Sequence, residues 1–229
     1  MKRISILPFL AISCSMFLLA CGGGGSSSSS AQDGETGTAT DASGNSFSTV
    51  VIGGQTWMSE NLATSKFSNG DEVMHATSWE QWQQAGANQQ PAWCYYDFDD
   101  ANAKYGKLYN WYAVTDERGL APEGWKVPSN SDWGALASHL GDDTAGKAMK
   151  STEGWENNGN GTNSSGFNAL PAGAMNPSAM NINSATYWWT TNEKDANSAT
   201  TRFLGYWGDT LDEGAYGKEN GFSVRCVKS

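Results

Sequence analysis

The spacing of apolar positions changes several times along the chain, and each change marks an element. Thr49-Val50-Val51-Ile52, then Gly53-Gly54, then Gln55-Thr56-Trp57-Met58 sets two strand-like runs around paired glycines. Glycine reaches positive φ without a Cβ clash, so this pattern predicts a two-residue hairpin in a domain that opens near Phe47. The clearest helical spacing covers 129–140. There Trp133, Leu136, Ala137 and Leu140 share a face, Ser129 and Asp132 have capping-box separation, and Gly141 supplies a stop. Thr77-Ser78-Trp79-Glu80 predicts a shorter helix that carries Trp82, with Glu80 three residues after Thr77.

Between 153 and 173 the periodicity dissolves into Gly, Asn and Ser, which predicts a long loop with Phe167 and Leu170 pointing inward. Short strands are expected near 187–191, 200–205 and 221–227, the last an apolar strand closing the domain. No repeat of fixed period appears. The expected class is α+β, with few helices, several short strands and much ordered loop.

The amino terminus has a different pattern. Lys2 and Arg3 precede an apolar run from Ile4 to Leu19, shorter than a membrane-spanning helix needs, and small Ala20 comes before Cys21. The stretch 1–20 reads as a signal peptide. Leu18-Leu19-Ala20-Cys21 resembles the bacterial lipobox, which implies lipidation at Cys21 and a palmitate-type acyl anchor in the cell envelope. Gly22 to Gly25 and Ser26 to Ser30 behave as random coil, so 21–45 is expected to be a flexible tether and 46–229 a single globular domain. Gly22 after the cysteine is compatible with the outer membrane and display at the cell surface.

Composition narrows the partners. Removing the leader takes away two of 14 basic residues and leaves all 24 acidic ones. A chain this acidic lacks the Lys and Arg clusters that nucleic acid or an anionic lipid surface rewards, so the membrane is a partner only through the lipid. Eleven tryptophans and 27 glycines suggest a core of large rings joined by irregular loops. Of four cysteines, Cys94 and Cys226 alone fall in the globular part. A disulfide between them is expected, closing a loop worth about 4 to 5 kcal/mol in the chain-entropy model. The alternatives are two buried thiols or a separation too large to bridge.

Several motifs together resemble the Fibrobacter succinogenes major paralogous domain family. They are 52–62 (Ile52-Gly53-Gly54-Gln55-Thr56-Trp57-Met58), Trp93-Cys94-Tyr95-Tyr96, and 105–112 (Tyr105-Gly106-Lys107-Leu108-Tyr109). Gly124-Trp125-Lys126-Val127-Pro128-Ser129, Gly166-Phe167-Asn168-Ala169-Leu170-Pro171 and Gly221-Phe222-Ser223-Val224-Arg225-Cys226 continue them in order, from about residue 50 onward. The family is similar to the C-type-lectin-like fold shared with formylglycine-generating enzymes. That similarity implies that the two ends of the domain meet in one sheet and that long loops carry any ligand site. Ala121 stands where many members have a cysteine, so a bridge using that position is absent.

The resemblance implies no established activity, and each chemistry is weighed on residues. The close cysteine pair of the copper-dependent enzymes is missing, and no nucleophile-elbow or phosphate-loop pattern appears. Trp188-Trp189-Thr190-Thr191-Asn192-Glu193 only partly echoes a lectin calcium–sugar loop. Asp97, Asp99, Asp100 and Asn102 group hard oxygen ligands that suit calcium, the one candidate metal site. The plainer reading is an acidic turn bonding its own backbone, with no cofactor. His75 and His139 are too few and too far apart for a zinc motif.

Trp79, Trp82, Trp93, Trp155 and Trp207 are candidates for flat ligand-binding faces, with Trp155 foremost because its loop is polar. The expectation is a noncatalytic binding module on a lipid-anchored envelope protein, for polysaccharide or a surface protein. A structural envelope protein and, behind it, an enzyme are the alternatives.

Overall fold

The computed structural model describes residues 32–176 and 178–229. The leader, Cys21 and the Gly/Ser run lie outside the described residues. In chain order, β1 (Thr36–Thr40), β2 (Ser46–Ile52), β3 (Gln55–Met58) and β4 (Met74–His75) precede helix α1 (Trp79–Ala87). Then come β5 (Ala92–Cys94), 3-10 turns over Tyr96–Phe98 and Asp100–Tyr105, β6 (Leu108–Tyr109), α2 (Trp111–Val114) and β7 (Trp125–Lys126). Helices α3 (Asn130–Leu140) and α4 (Ala145–Met149) follow. After a loop come β8 (Ala172–Met175), β9 (Ala179–Ile182), β10 (Ala185–Glu193), β11 (Ser198–Gly205), β12 (Asp212–Gly217) and β13 (Val227–Lys228). They make three sheets, ordered β1-β2-β3-β13-β7, β12-β11-β10-β8-β9 and β4-β5-β6. The class is α+β.

Local rules account for the elements the chain announces. Ile52 pairs with Gln55 across Gly53 (φ 59°) and Gly54 (φ 76°), the primed turn that a right-twisted hairpin requires. Ser129 and Asp132 form a reciprocal capping box at α3, and Gly141 (φ 86°) ends it. Helix α1 starts one residue later than the sequence suggests. Ser78 is the cap and accepts from the Gln81 amide, while the Gln81 side chain accepts from the Thr77 amide.

Order also begins earlier than position 46. β1 pairs with β2 from Thr36↔Val50 to Thr40↔Ser46, and the carboxylate of Asp41 closes the turn by accepting from Ser43 and Asn45 amides. Threonines with no apolar face read as spacer, but an edge strand needs only backbone partners. The expected tether is shorter at its carboxyl end for that reason.

The core is aromatic. Trp57, Trp133, Phe167 and Trp188 are buried together with ring centroids 4.7 to 5.8 Å apart, in tilted and edge-on contacts that favour the ring quadrupoles. The run 221–227 threads between the sheets rather than forming one strand. Phe222 bridges to Tyr109, Gly221 to Met175 and Ser223 to Trp188, and only Val227 joins a regular ladder, with Trp57 and Lys126. Each residue from 220 to 227 is buried, because this segment has a different sheet on each side.

The expected disulfide is not formed. Cys94 and Cys226 are free thiols in separate packing clusters, the first beside Trp82 and Leu108, the second beside Tyr109 and Val224. Each fills space as a small apolar side chain, and burial pushes both thiols well above the ordinary range. Alkylation of the folded domain is therefore expected to leave both unlabelled and alkylation of the unfolded domain to label both. A Cys94–Cys226 linked peptide under nonreducing conditions would contradict this.

Lys107 is a buried charge with no carboxylate partner. It is 6% exposed, its Nζ lies 3.7 Å above the Trp93 ring, and no carboxylate among the described residues comes within ion-pair distance. Burial pulls its ammonium down to about 8, only partly offset by the more distant Asp41 and Glu72. Between that value and the unfolded lysine value of about 10.4 the unfolded chain binds the extra proton, so stability rises with pH across this window. Lys107→Met should flatten the slope of unfolding free energy between pH 8 and 10; an unchanged slope would show that Lys107 is not its source.

Candidate functional site

Helix α1 presents Trp79, Gln83 and Ala87 at i, i+4 and i+8 on one face while Trp82 and Ala85 turn into the core. Against the outer face lie two adjoining depressions, of about 380 and 540 Å³, that share Trp79, Gln83 and Met175 in their walls. The first extends to Asn176, Glu219 and Asn220, with Trp82 at its edge. The second extends to Asp97, Phe98 and Ser178. Half-buried Trp79 is thus the divider of a groove whose two volumes both suit a small-ligand cleft.

Close backbone approaches make the first half. A Cβ on Gly86 would lie 2.9 Å from Cβ of Glu219, so only glycine lets α1 sit against the 217–221 turn. At Gly221 a Cβ would come within 3.0 Å of both Met175 and Trp82. The second half is made under strain. Asp97 (φ 55°) and Phe98 (φ 56°) are consecutive non-glycine residues in the left-handed region, which bulky side chains rarely enter. Such conformations cost on the order of 1 to 3 kcal/mol each and concentrate where a surface is shaped for a purpose.

The chemistry of the lining is specific. Trp79 and Phe98 contribute aromatic rings, Met175 an adaptable apolar wall, and Gln83, Asn176 and Asn220 paired donors and acceptors. Asp97 and Glu219 belong to opposite halves and add acceptors. This combination places aromatic surface beside hydrogen-bonding side chains on one lining.

The other sequence candidates are distributed differently. Trp155 is buried, not exposed: its indole N–H donates to Ser151 Oγ at 3.0 Å and to the Ala169 carbonyl at 3.1 Å. A loop of Gly, Asn and Ser has little else to bury, so Trp155 joins Phe167 as one of its buried anchors. Asparagines 157, 158, 163 and 168 take positive φ around it. Trp82 is mostly buried and contributes only an edge to the groove. Trp207 is 56% exposed, beside Tyr206, at the β11–β12 turn. The ladder runs from Ser198↔Gly217 to Phe203↔Asp212 and separates that turn from Glu219, so Trp207 and Trp79 form no joint platform.

The acidic turn serves its own backbone. Asp99 accepts from the Ala101 amide at 2.9 Å, Asn102 donates to the Tyr96 carbonyl at 3.0 Å, and exposed Asp100 opens the second 3-10 turn. No group of three or more His, Cys, Asp or Glu suited to a metal ion occurs among the described residues. In the partial lectin echo, Trp188 and Trp189 are buried, Asn192 accepts from the Asn130 amide and Glu193 pairs with Lys218. His75 stacks on Trp93 at 3.7 Å, its pKa lowered by burial and then by Lys107, while His139 pairs with Asp33 at 2.7 Å.

Sequence reasoning named Trp79 but missed most of its company. Gln83 had a signal, four residues on along the same helix face. Met175 ends β8, Asn176 follows it, Glu219 and Asn220 come from the turn after β12, and Phe98 reaches the lining from a segment with positive φ. No spacing along the chain announces these meetings.

Neither the curated proteins nor the solved structures yield a match to this chain. The family model described as the Fibrobacter succinogenes major domain matches residues 50–228, from the hairpin strand through the buried closing segment. The chain belongs to the Fibrobacter succinogenes major domain family.

Proposed function

We propose that this protein is a lipid-anchored component of the bacterial envelope whose domain is a noncatalytic module that binds glycan chains in the Trp79 groove. The observation that carries the reading is the groove itself, a half-buried indole between two depressions rimmed by amide side chains. A pyranose ring has an apolar face and a hydroxyl rim, and stacking on an aromatic ring with hydrogen bonds at the edge answers both. A large rigid ring gives such contact at small entropic cost.

The fold supports the same reading. We infer a C-type-lectin-like arrangement because β2 and β3, early in the domain, share a sheet with β13. The lipobox at Cys21 and the Gly/Ser run after it support display from a membrane, with the acyl chains as the anchor. Binding needs no metal or cofactor in this account.

Glycan-array and pull-down binding of the full chain tests the reading. Saturable binding to at least one polysaccharide is expected, with Trp79→Ala weakening it about tenfold or more and Trp207→Ala leaving it within about twofold. Binding lost in Trp207→Ala and kept in Trp79→Ala would move the site to the β11–β12 turn. Separately, Cys21→Ala should release the protein from the membrane fraction, and retention there would remove the anchor from the account.

A further inference from the structure

The charged side chains on the groove's lining are all of one sign. Its two halves together place Asp97 and Glu219 on the lining, and no lysine, arginine or histidine among the described residues joins them. The lysine beside Glu219 in the chain is diverted: Lys218 Nζ pairs with Glu193 and donates to the Ala196 carbonyl at 2.8 Å. Lys104 and Lys107, the lysines that follow the acidic turn, lie over the rings of Tyr105 and Trp93. A ligand carboxylate or sulfate in either half would meet an exposed carboxylate with no cation on the lining to offset it. Uncharged hydroxyl and amide groups would meet acceptors on Asp97 and Glu219 and both donors and acceptors on Gln83, Asn176 and Asn220.

We propose that the Trp79 groove is selective for uncharged glycans and excludes anionic ones, with Asp97 and Glu219 as the specificity-determining residues of its two halves. This rests on the glycan-binding reading of the same groove. The discrimination works through repulsion of the wrong ligand as much as through attraction of the right one, which is how specificity is obtained where stacking alone is tolerant. Stacking on Trp79 is indifferent to a substituent at the sugar's edge, so the carboxylates supply the choice. Screening then follows: added salt should weaken the exclusion while leaving stacking intact.

The test uses matched ligands that differ only in charge. The full chain is titrated calorimetrically with neutral β-1,4-linked glucose and mannose hexasaccharides and with the same two hexasaccharides oxidised to uronates at C6. The neutral member of a binding pair is expected to bind about tenfold or more tightly than its uronate at low salt, with the gap narrowing as salt rises. In the Asp97→Asn/Glu219→Gln double variant the gap between the neutral ligand and its uronate should close to within about threefold, with the uronate gaining affinity.

A uronate that binds as tightly as its neutral partner overturns the charge selection and leaves the glycan reading standing. A gap that survives in the double variant removes Asp97 and Glu219 as its cause. Absence of binding by all four ligands overturns this inference for β-1,4-linked chains, and the glycan array then decides separately whether the broader reading falls with it.

Discussion

The fold turns on one buried cation. Arg225 is 1% exposed and spreads its guanidinium over three segments: it donates to the Met58 carbonyl at 3.1 Å, to the Phe167 carbonyl at 2.6 Å and twice to Asn61 Oδ1. Burial works against that charge, and the three neutral acceptors, together with the ring faces of Phe167 and Trp188, hold it. Asn61 Oδ1 accepts from the Trp188 indole as well, so one amide oxygen ties the closing segment, the hairpin region and β10 together. The five donors of a planar guanidinium make this fan; a lysine ammonium has three and no plane.

With Arg225 fixed, the rest of 220–227 has little freedom. Gly221 and Phe222 bridge to β8 and to β6, Ser223 to β10, and Val227 to β3 and β7. Asn220 and Glu219 are thereby set against α1, since Gly86 and Gly221 allow the backbones to close on one another. The groove is a surface consequence of that closure. Its position follows from the core, which lends it Met175, while Gln83, Asp97 and Glu219 stand exposed on its lining.

Sequence periodicity reached the parts of the molecule whose rules are local. The Gly53-Gly54 turn and the Ser129–Asp132 capping box are each settled within a few residues, and both stand as read. The failures share a cause in distant partners. β1 has no apolar pattern because its bonds come from β2; the broken closing strand looked continuous because apolar spacing cannot show that its neighbours change from residue to residue. Trp155 was misplaced for the complementary reason: the polarity of its loop suggested exposure, whereas a polar loop of that length needs an interior of its own. At the groove, Trp79 was visible in the sequence, and the turn that carries Glu219 was not.

The central claim is that recognition takes place around Trp79, and hydrogen–deuterium exchange of the full chain with and without a bound glycan tests it most directly. The account predicts that protection on binding concentrates in 79–87, 96–98 and 217–221, with no change in 205–211 around Trp207. Protection centred on 205–211, with 79–87 unaffected, would contradict it.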